Sequence, residues 1–195
     1  MKAGNIKLVL FITAGIVFLL SSCGSGPFVD AVAVPKDAPK EVAQAVKNAP
    51  KGVLIGIGRT SGSGSVNLSE TVAVTRARTL ISRQLNTMVR DMVSMYQAGS
   101  SVDPSAVMAF EENISIVLSS STLTGSTVLC QAVDEATNTY LAVVALTKSE
   151  AKKEIERAQN LAAQRLVSQP AVNNVDITVN FDNTFDKAAS EGAQF

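Results

Sequence analysis

The feature that most constrains the fold is an apolar stripe that recurs every three or four residues in the middle of the chain. Its members are Val74, Ala77, Ile81, Leu85, Met88, Met92 and Met95. This spacing predicts one long amphipathic helix that begins at a capping box formed by Asn67 and Glu70 and ends near Gln97, before Gly99. The stripe is the face expected to pack against a sheet.

The opposite face of this helix carries a row of arginines. Arg76, Arg83 and Arg90 lie seven residues apart, on the side away from the apolar stripe. Such a row is usually the solvated side of a helix, and docking on anionic lipid headgroups is the alternative.

Short β-rich runs predict the sheet. They cover residues 53–58, 126–133 and 140–146. The second and third runs are joined by a polar stretch and predict a β-hairpin. A fourth strand at a sheet edge is predicted over residues 175–181, where apolar and polar residues alternate.

Three more helices complete the predicted architecture. Pro39–Ala49 favours a short helix, and Thr147 with Glu150 forms a capping box for a later one. Asp103-Pro104 begins a helix to about Ser119, although the alternation near its end would also suit a strand. The predicted class is α+β, a small antiparallel sheet packed against long amphipathic helices in the order strand, helix, helix, hairpin, helix.

The N-terminus has the pattern of an export signal. Lys2 and Lys7 precede an apolar run from Leu8 to Leu20. This run is shorter than a membrane-spanning helix requires, which favours a signal peptide. Leu20-Ser21-Ser22-Cys23 then resembles the lipobox of bacterial lipoproteins. That resemblance implies that the Cys23 sulfur takes a diacylglyceryl group and that Cys23 becomes the first residue of the mature chain. An ordinary signal peptide with an incidental cysteine is the alternative.

Removal of the signal leaves a slightly acidic chain. The whole sequence has 17 basic and 17 acidic residues, and the signal peptide contains two lysines and no acidic residue. The mature chain therefore has 15 basic and 17 acidic residues, a net charge of −2. Nucleic acid is therefore not an expected partner. With Cys23 acylated, Cys130 stands alone and no intrachain disulfide can form. Its setting, Thr-Val-Leu-Cys-Gln-Ala-Val, is typical of a strand and favours the role of a buried small hydrophobe over that of a reactive thiol.

Catalytic, cofactor and metal sites are not predicted. The chain has no histidine, which removes the commonest general base and most zinc sites. Gly56 and Gly58 follow a strand, but the third glycine of a dinucleotide motif is misplaced, so close backbone packing is the preferred role. Ser149 and Lys152 have the spacing of β-lactam-acylating enzymes without the companion motifs.

The domain organisation follows from these patterns. We expect a signal peptide over residues 1–22, the lipidated cysteine and a flexible tether over 23–38, and an α+β domain over 39–169. A C-terminal strand and a loose tail occupy 170–195.

Several segments together resemble the twenty-kilodalton bacterial lipoprotein family (lipoprotein-20 type). The matching segments are Ile55-Gly56-Ile57-Gly58, Val74-Thr75-Arg76-Ala77-Arg78, Leu123-x-Gly125, Val133-Asp134 and Thr139-Tyr140-Leu141-Ala142-Val143, followed by a Lys/Glu-rich helix. The resemblance covers roughly residues 39–165. It implies a surface or outer-membrane lipoprotein with a compact α+β domain and no established catalytic site, and related domains occur in flagellar and envelope assembly proteins. Val133 replaces the aromatic residue usual before the loop aspartate.

The expected function is that of a membrane-anchored envelope lipoprotein that acts as a non-enzymatic structural or protein-interaction module. Its partners would be membrane lipid, through acylated Cys23, and envelope proteins or further copies of itself, through the long helix or the strand at 175–181. Gly24, in place of an aspartate, favours the outer membrane. The alternatives are a periplasmic carrier of a small ligand, with Met88, Met92 and Met95 lining its cavity, and a hydrolase.

Overall fold

The computed structural model describes residues 34–62, 64–166 and 175–191. This part of the chain contains five α-helices, one 3-10 helix and three β-strands. In chain order they are α1 (Lys40–Lys47), β1 (Val53–Ser61), α2 (Val66–Gly99), α3 (Pro104–Ser119), β2 (Thr127–Asp134), β3 (Thr139–Thr147), α4 (Lys148–Arg165), the 3-10 helix Thr178–Asn180 and α5 (Phe181–Glu191). The predicted α+β class is confirmed, because a small antiparallel sheet packs against long helices.

The sheet has the strand order β1-β3-β2, and both pairings are antiparallel. β2 and β3 form the predicted hairpin, with residues 135–138 as its loop. β1 runs along the other side of β3, from Val53 opposite Thr147 to Ser61 opposite Thr139. β3 is therefore the central strand, and all but two of its nine residues are buried.

Each face of the sheet is covered by a different set of helices. On one face lies the main core, in which Leu54, Val144 and Leu146 pack with residues of α2, α3, α4 and α5. On the other face, Val42 and Val46 of α1 lie over β2 and β3 and close a smaller apolar cluster to which all three strands contribute. The sheet is thus apolar on both faces along β3, which explains the continuous Leu-Ala-Val-Val-Ala-Leu run there.

The apolar stripe of α2 forms much of the main core. Ala77, Ile81, Leu85, Met88 and Met92 are all buried. Val89 and Val93 join them, so the buried face is wider than the predicted stripe. Met95 departs from the prediction, because 46% of its surface is exposed.

Two glycines allow α2 to lie directly on β1. A Cβ atom added to Gly56 would overlap the backbone carbonyl of Ala77, and one added to Gly58 would overlap that of Ala73. Gly56 and Gly58 are two positions apart on β1. They lie against Ala77 and Ala73, which are one helical turn apart on α2. The role in close backbone packing that the sequence predicted is confirmed.

Two of the three predicted helix caps are confirmed. Asp103 accepts a hydrogen bond from the Ser105 N–H at 3.0 Å, and Thr147 Oγ1 accepts one from the Glu150 N–H at 3.3 Å. Hydrogen bonds from Ser105 also hold the pKa of Asp103 below its ordinary value, because they stabilise the charged carboxylate. These bonds satisfy N–H groups that the first helical turn leaves unpaired.

The predicted Asn67 cap is wrong. α2 begins at Val66, with Ser65 in the N-cap position, two residues before the predicted cap, and with no side-chain capping bond. The Ser65 carbonyl accepts hydrogen bonds from both the N–H and the hydroxyl of Ser69, each at 3.1 Å. The helix therefore starts before Asn67, which lies inside the first turn.

The predicted strand over 175–181 is also wrong. This segment leads through the 3-10 helix into α5, and Val179 is 79% exposed. Phe181 and Phe185 lie one turn apart on the buried face of α5, with ring centroids 5.5 Å apart. Packing of these rings against the core favours helix over the local alternation. The tail is helical as far as Glu191, and residues 192–195 lie outside the described ranges.

Candidate interaction edge

Cys23, the residue to which the sequence assigns lipidation, lies outside the described residues. The predicted signal peptide over 1–22 and the larger part of the predicted tether over 23–38 also lie outside them, since the first described residue is Val34. Among the helices that the structure describes, none combines the length and apolarity needed to cross a membrane.

Two α2 side chains form hydrogen bonds to the β1 edge of the sheet. Gln84 Nε2 donates a buried hydrogen bond of 2.8 Å to the Ile55 carbonyl. Arg76 Nη1 donates one of 2.6 Å to the Arg59 carbonyl. These bonds satisfy carbonyl groups of the edge strand, and α2 covers the strand itself through the glycine contacts. Two carbonyl groups on the outer side of β1 are therefore already paired with α2.

Within residues 34–62, 64–166 and 175–191, the outer edge of β2 has no hydrogen-bonding partner. Apart from its ladder with β3 and the Asp134 bonds within the hairpin loop, no hydrogen bond joins the β2 backbone to another described residue. An edge strand of this kind presents a row of unpaired N–H and C=O groups. The edge also lacks the usual protection by lysine or proline, since Thr127–Val133 contains no charged residue and no proline.

A bulge in β2 determines which side chains share a face. The register shifts at Leu129, between Val128 and Cys130. Val128 lies opposite Val144, Gln131 opposite Ala142 and Val133 opposite Tyr140. Since alternate residues of β3 share a face, the side chains of Val128, Gln131 and Val133 line the α2 side of β2. All three are exposed, each valine by 39%.

A groove of about 410 Å³ lies between α2 and β2. Its lining residues are Asn67, Glu70, Thr71, Val74, Thr75 and Arg78 of α2 and Gln131 of β2. Arg78 Nε is held by a 3.0 Å hydrogen bond to Ser126 Oγ at the start of the hairpin. The groove places one acidic and one basic residue, two helical turns apart, beside the open strand.

Cys130 lies on the other face of β2, half-buried against the cluster under α1. Burial, and to a smaller degree the Glu41 carboxylate, raise the pKa of its thiol. Both effects disfavour the thiolate, which is the reactive form. This environment agrees with the packing role that the sequence predicted.

The arginine row of α2 is not a uniform cationic face. Arg76 donates a hydrogen bond to the Arg59 carbonyl of β1, and Nε of Arg90 lies 3.5 Å from the Glu111 carboxylate. Arg83 is exposed. A second groove, of about 480 Å³, lies beside this row between α2 and α3, with Arg90, Glu112 and Ile116 among its lining residues.

The methionines considered for a carrier cavity do not line a common cavity, and the serine and lysine considered for an enzyme are not bonded to each other. Met88 and Met92 are packed in the main core, whereas Met95 is at the surface. The Ser149 hydroxyl lies 3.1 Å from that of Thr147, and the Lys152 amine lies 5.9 Å from the centre of the Phe181 ring. No hydrogen bond joins Ser149 to Lys152 in the structure.

The open edge was not foreseen from the sequence. The run at 126–133 predicted one half of a hairpin, but nothing local shows which strand is central. The absence of Lys, Arg and Pro from that run is the one signal that points to an edge available for pairing. In comparisons with known proteins, no family model and no curated protein matches this sequence.

Proposed function

We propose that the protein is a lipid-anchored, non-enzymatic interaction module of the bacterial cell envelope. The N-terminal sequence supports the anchor, because basic residues, an apolar run and Leu-Ser-Ser-Cys occur in the order of a lipoprotein signal. Acyl chains on Cys23 would hold the chain at the outer membrane, with about 0.8 kcal/mol gained per buried CH₂. A tether over 23–38 would keep the domain near its partners and raise its effective concentration there.

The observation that carries the interaction role is the difference between the two sheet edges. α2 side chains occupy the β1 edge through Gln84 and Arg76, whereas no described residue pairs with the outer edge of β2. An exposed strand of this kind accepts an extended segment by β-strand addition, in which backbone bonds give affinity and alternate side chains give specificity. The β2 edge, with its groove toward α2, is the proposed docking surface.

Mass spectrometry of the protein purified from its native membrane tests the anchor. We expect a mature chain that starts at Cys23 with a diacylglyceryl thioether, because the lipobox directs both modification and cleavage. Cys23→Ala is expected to abolish incorporation of labelled fatty acid and to leave residues 1–22 attached. An unmodified Cys23, or an uncleaved wild-type chain, would contradict the anchor.

Site-specific photocrosslinking in intact cells tests the edge. A photoreactive residue at Val133 is expected to capture a partner, because this side chain is exposed beside the unpaired strand. The matched control is Val179, which is 79% exposed in the C-terminal segment and lies outside the sheet. Equal capture from the two positions, or none from Val133, would overturn the β2 edge as the docking surface.

A further inference from the structure

We propose that the partner at the β2 edge is a second copy of this chain. Two β2 strands pair antiparallel about a twofold axis through Gln131, and the two sheets become one continuous six-stranded sheet. This inference rests on the proposed function of the edge and names the partner that the edge receives.

The first support is the symmetry of β2 about Gln131. Val128, Gln131 and Val133 lie opposite Val144, Ala142 and Tyr140 of β3, so the two valines are equally far from the glutamine along the sheet. Along the chain the spacing is unequal, because two residues separate Val128 from Gln131 and only one separates Gln131 from Val133. The bulge at Leu129 takes up the extra residue and makes the two distances along the sheet equal. The exposed face of the edge therefore presents the same pattern in both directions.

A twofold axis perpendicular to the sheet uses this symmetry. In an antiparallel pair directly opposed residues share a face, so such an axis makes one residue its own partner. With Gln131 on the axis, Val133 lies opposite Val128 of the second copy, and Cys130 lies opposite Ala132. The two exposed valines of each chain thus gain apolar neighbours, and the two Gln131 amides can bond each other.

The charges on the α2 side fit the same axis. α2 runs antiparallel to β1, since Gly56 lies against Ala77 and Gly58 against Ala73. β1 and β2 are parallel because both are antiparallel to β3, so α2 also runs antiparallel to β2. Arg78 therefore lies near the start of β2, where it bonds Ser126, and Glu70 lies toward its end.

Rotation about the axis brings the Arg78 end of one groove level with the Glu70 end of the other. Val74, midway between Glu70 and Arg78 on α2, lines the groove with Gln131 and lies level with its own copy. In the ladder itself, Asp134 falls opposite Thr127 rather than opposite its own copy. Opposite charges thus lie at the same level on the two sides of the paired β2 strands, an arrangement that favours complementary association.

The twofold pairing limits the assembly to two copies. In the paired sheet, β1 of each chain forms the outer edge, and α2 covers it through Gln84 and Arg76. A self-complementary pairing that uses the β2 edge of each chain forms a closed dimer and not a filament.

Disulfide crosslinking of the full-length protein in intact cells tests the axis. Gln131→Cys in a Cys130→Ala background puts a thiol opposite its own copy. The expected Cα separation of about 4.5–5.5 Å is within the range of a disulfide. Mild oxidation is expected to shift the band to twice the monomer mass on a non-reducing gel. Val179→Cys in the same background, on the 79% exposed position, is expected to stay monomeric.

A charge variant provides an independent measurement. Gln131→Lys places two cations on the axis, and the full-length protein in mild detergent is expected to fall from dimer to monomer mass, whereas Val179→Lys stays dimeric. Far-UV circular dichroism checks that both variants are folded. A monomeric wild type, or no dimer band for Gln131→Cys, overturns the proposal.

Capture of a different protein at Val133, without a second copy, would overturn this inference and leave the proposed interaction role standing. A chain without acyl groups on Cys23 would contradict the proposed anchor and leave the dimer standing. The two experiments therefore fail separately.

Discussion

Gly58→Ala is expected to destabilise the domain severely. The added methyl group would overlap the carbonyl of Ala73, so the backbones of α2 and β1 would have to separate. Such overpacking costs about 3 kcal/mol, and separation would also stretch the bonds from Gln84 and Arg76 to β1. This loss is a large part of the free energy of unfolding of a typical folded domain, which is about 5–15 kcal/mol.

Urea denaturation followed by far-UV circular dichroism measures the effect. Gly99→Ala is the matched control, because no atom lies within 4 Å of a Cβ added at the end of α2. There alanine should be neutral or slightly stabilising, since it has the higher helix propensity. Equal midpoints for the two variants would show that α2 and β1 are not in close contact at Gly58.

Phe185→Ala is expected to cost about 3–5 kcal/mol, the usual loss for a large aromatic side chain removed from a core. Phe185 is fully buried, stacks against Phe181, and lies 5.8 Å from the amine of Lys148 at the start of α4. Lys148 also pairs with Asp182 and Asp186 on the exposed side of α5. Loss of the ring would therefore weaken the attachment of α5 as well as the core.

Thermal unfolding and limited proteolysis measure this variant. Cleavage within α5 is expected to become faster at temperatures where the rest of the domain stays folded, because an element with fewer core contacts opens first. Val179→Ala is the control, since Val179 lies in the same segment and is 79% exposed. A Phe185→Ala protein as stable as the control would contradict the docked helix.

Local signals predicted most elements well. Asp103 and Thr147 cap their helices as expected, because capping depends on a side chain and the N–H groups within three residues of it. The hairpin followed from two β-rich runs separated by a polar loop. The apolar stripe of α2 was also correct in outline, since helical periodicity is a property of the chain itself.

Predictions failed where tertiary contacts competed with local pattern. The alternation over 175–181 is typical of a strand, but Phe181 and Phe185 reach the core together when the chain is helical. The Asn67 cap failed because the chain enters α2 earlier, at Val66. Which strands lie at the edges of the sheet could not be predicted, since strand order depends on residues far apart in sequence.

The sequence by itself determined the export and anchoring hypothesis, the α+β class and the positions of most helices and strands, because each depends on residues that are near neighbours in the chain. Only the tertiary structure decided that β3 is central, that α2 side chains bond to the β1 edge and that no described residue pairs with the outer edge of β2. The physical reason is that edge hydrogen bonds are satisfied or left unpaired by distant residues. Gln84 reaches Ile55 only after the glycines of β1 have let α2 lie against the strand.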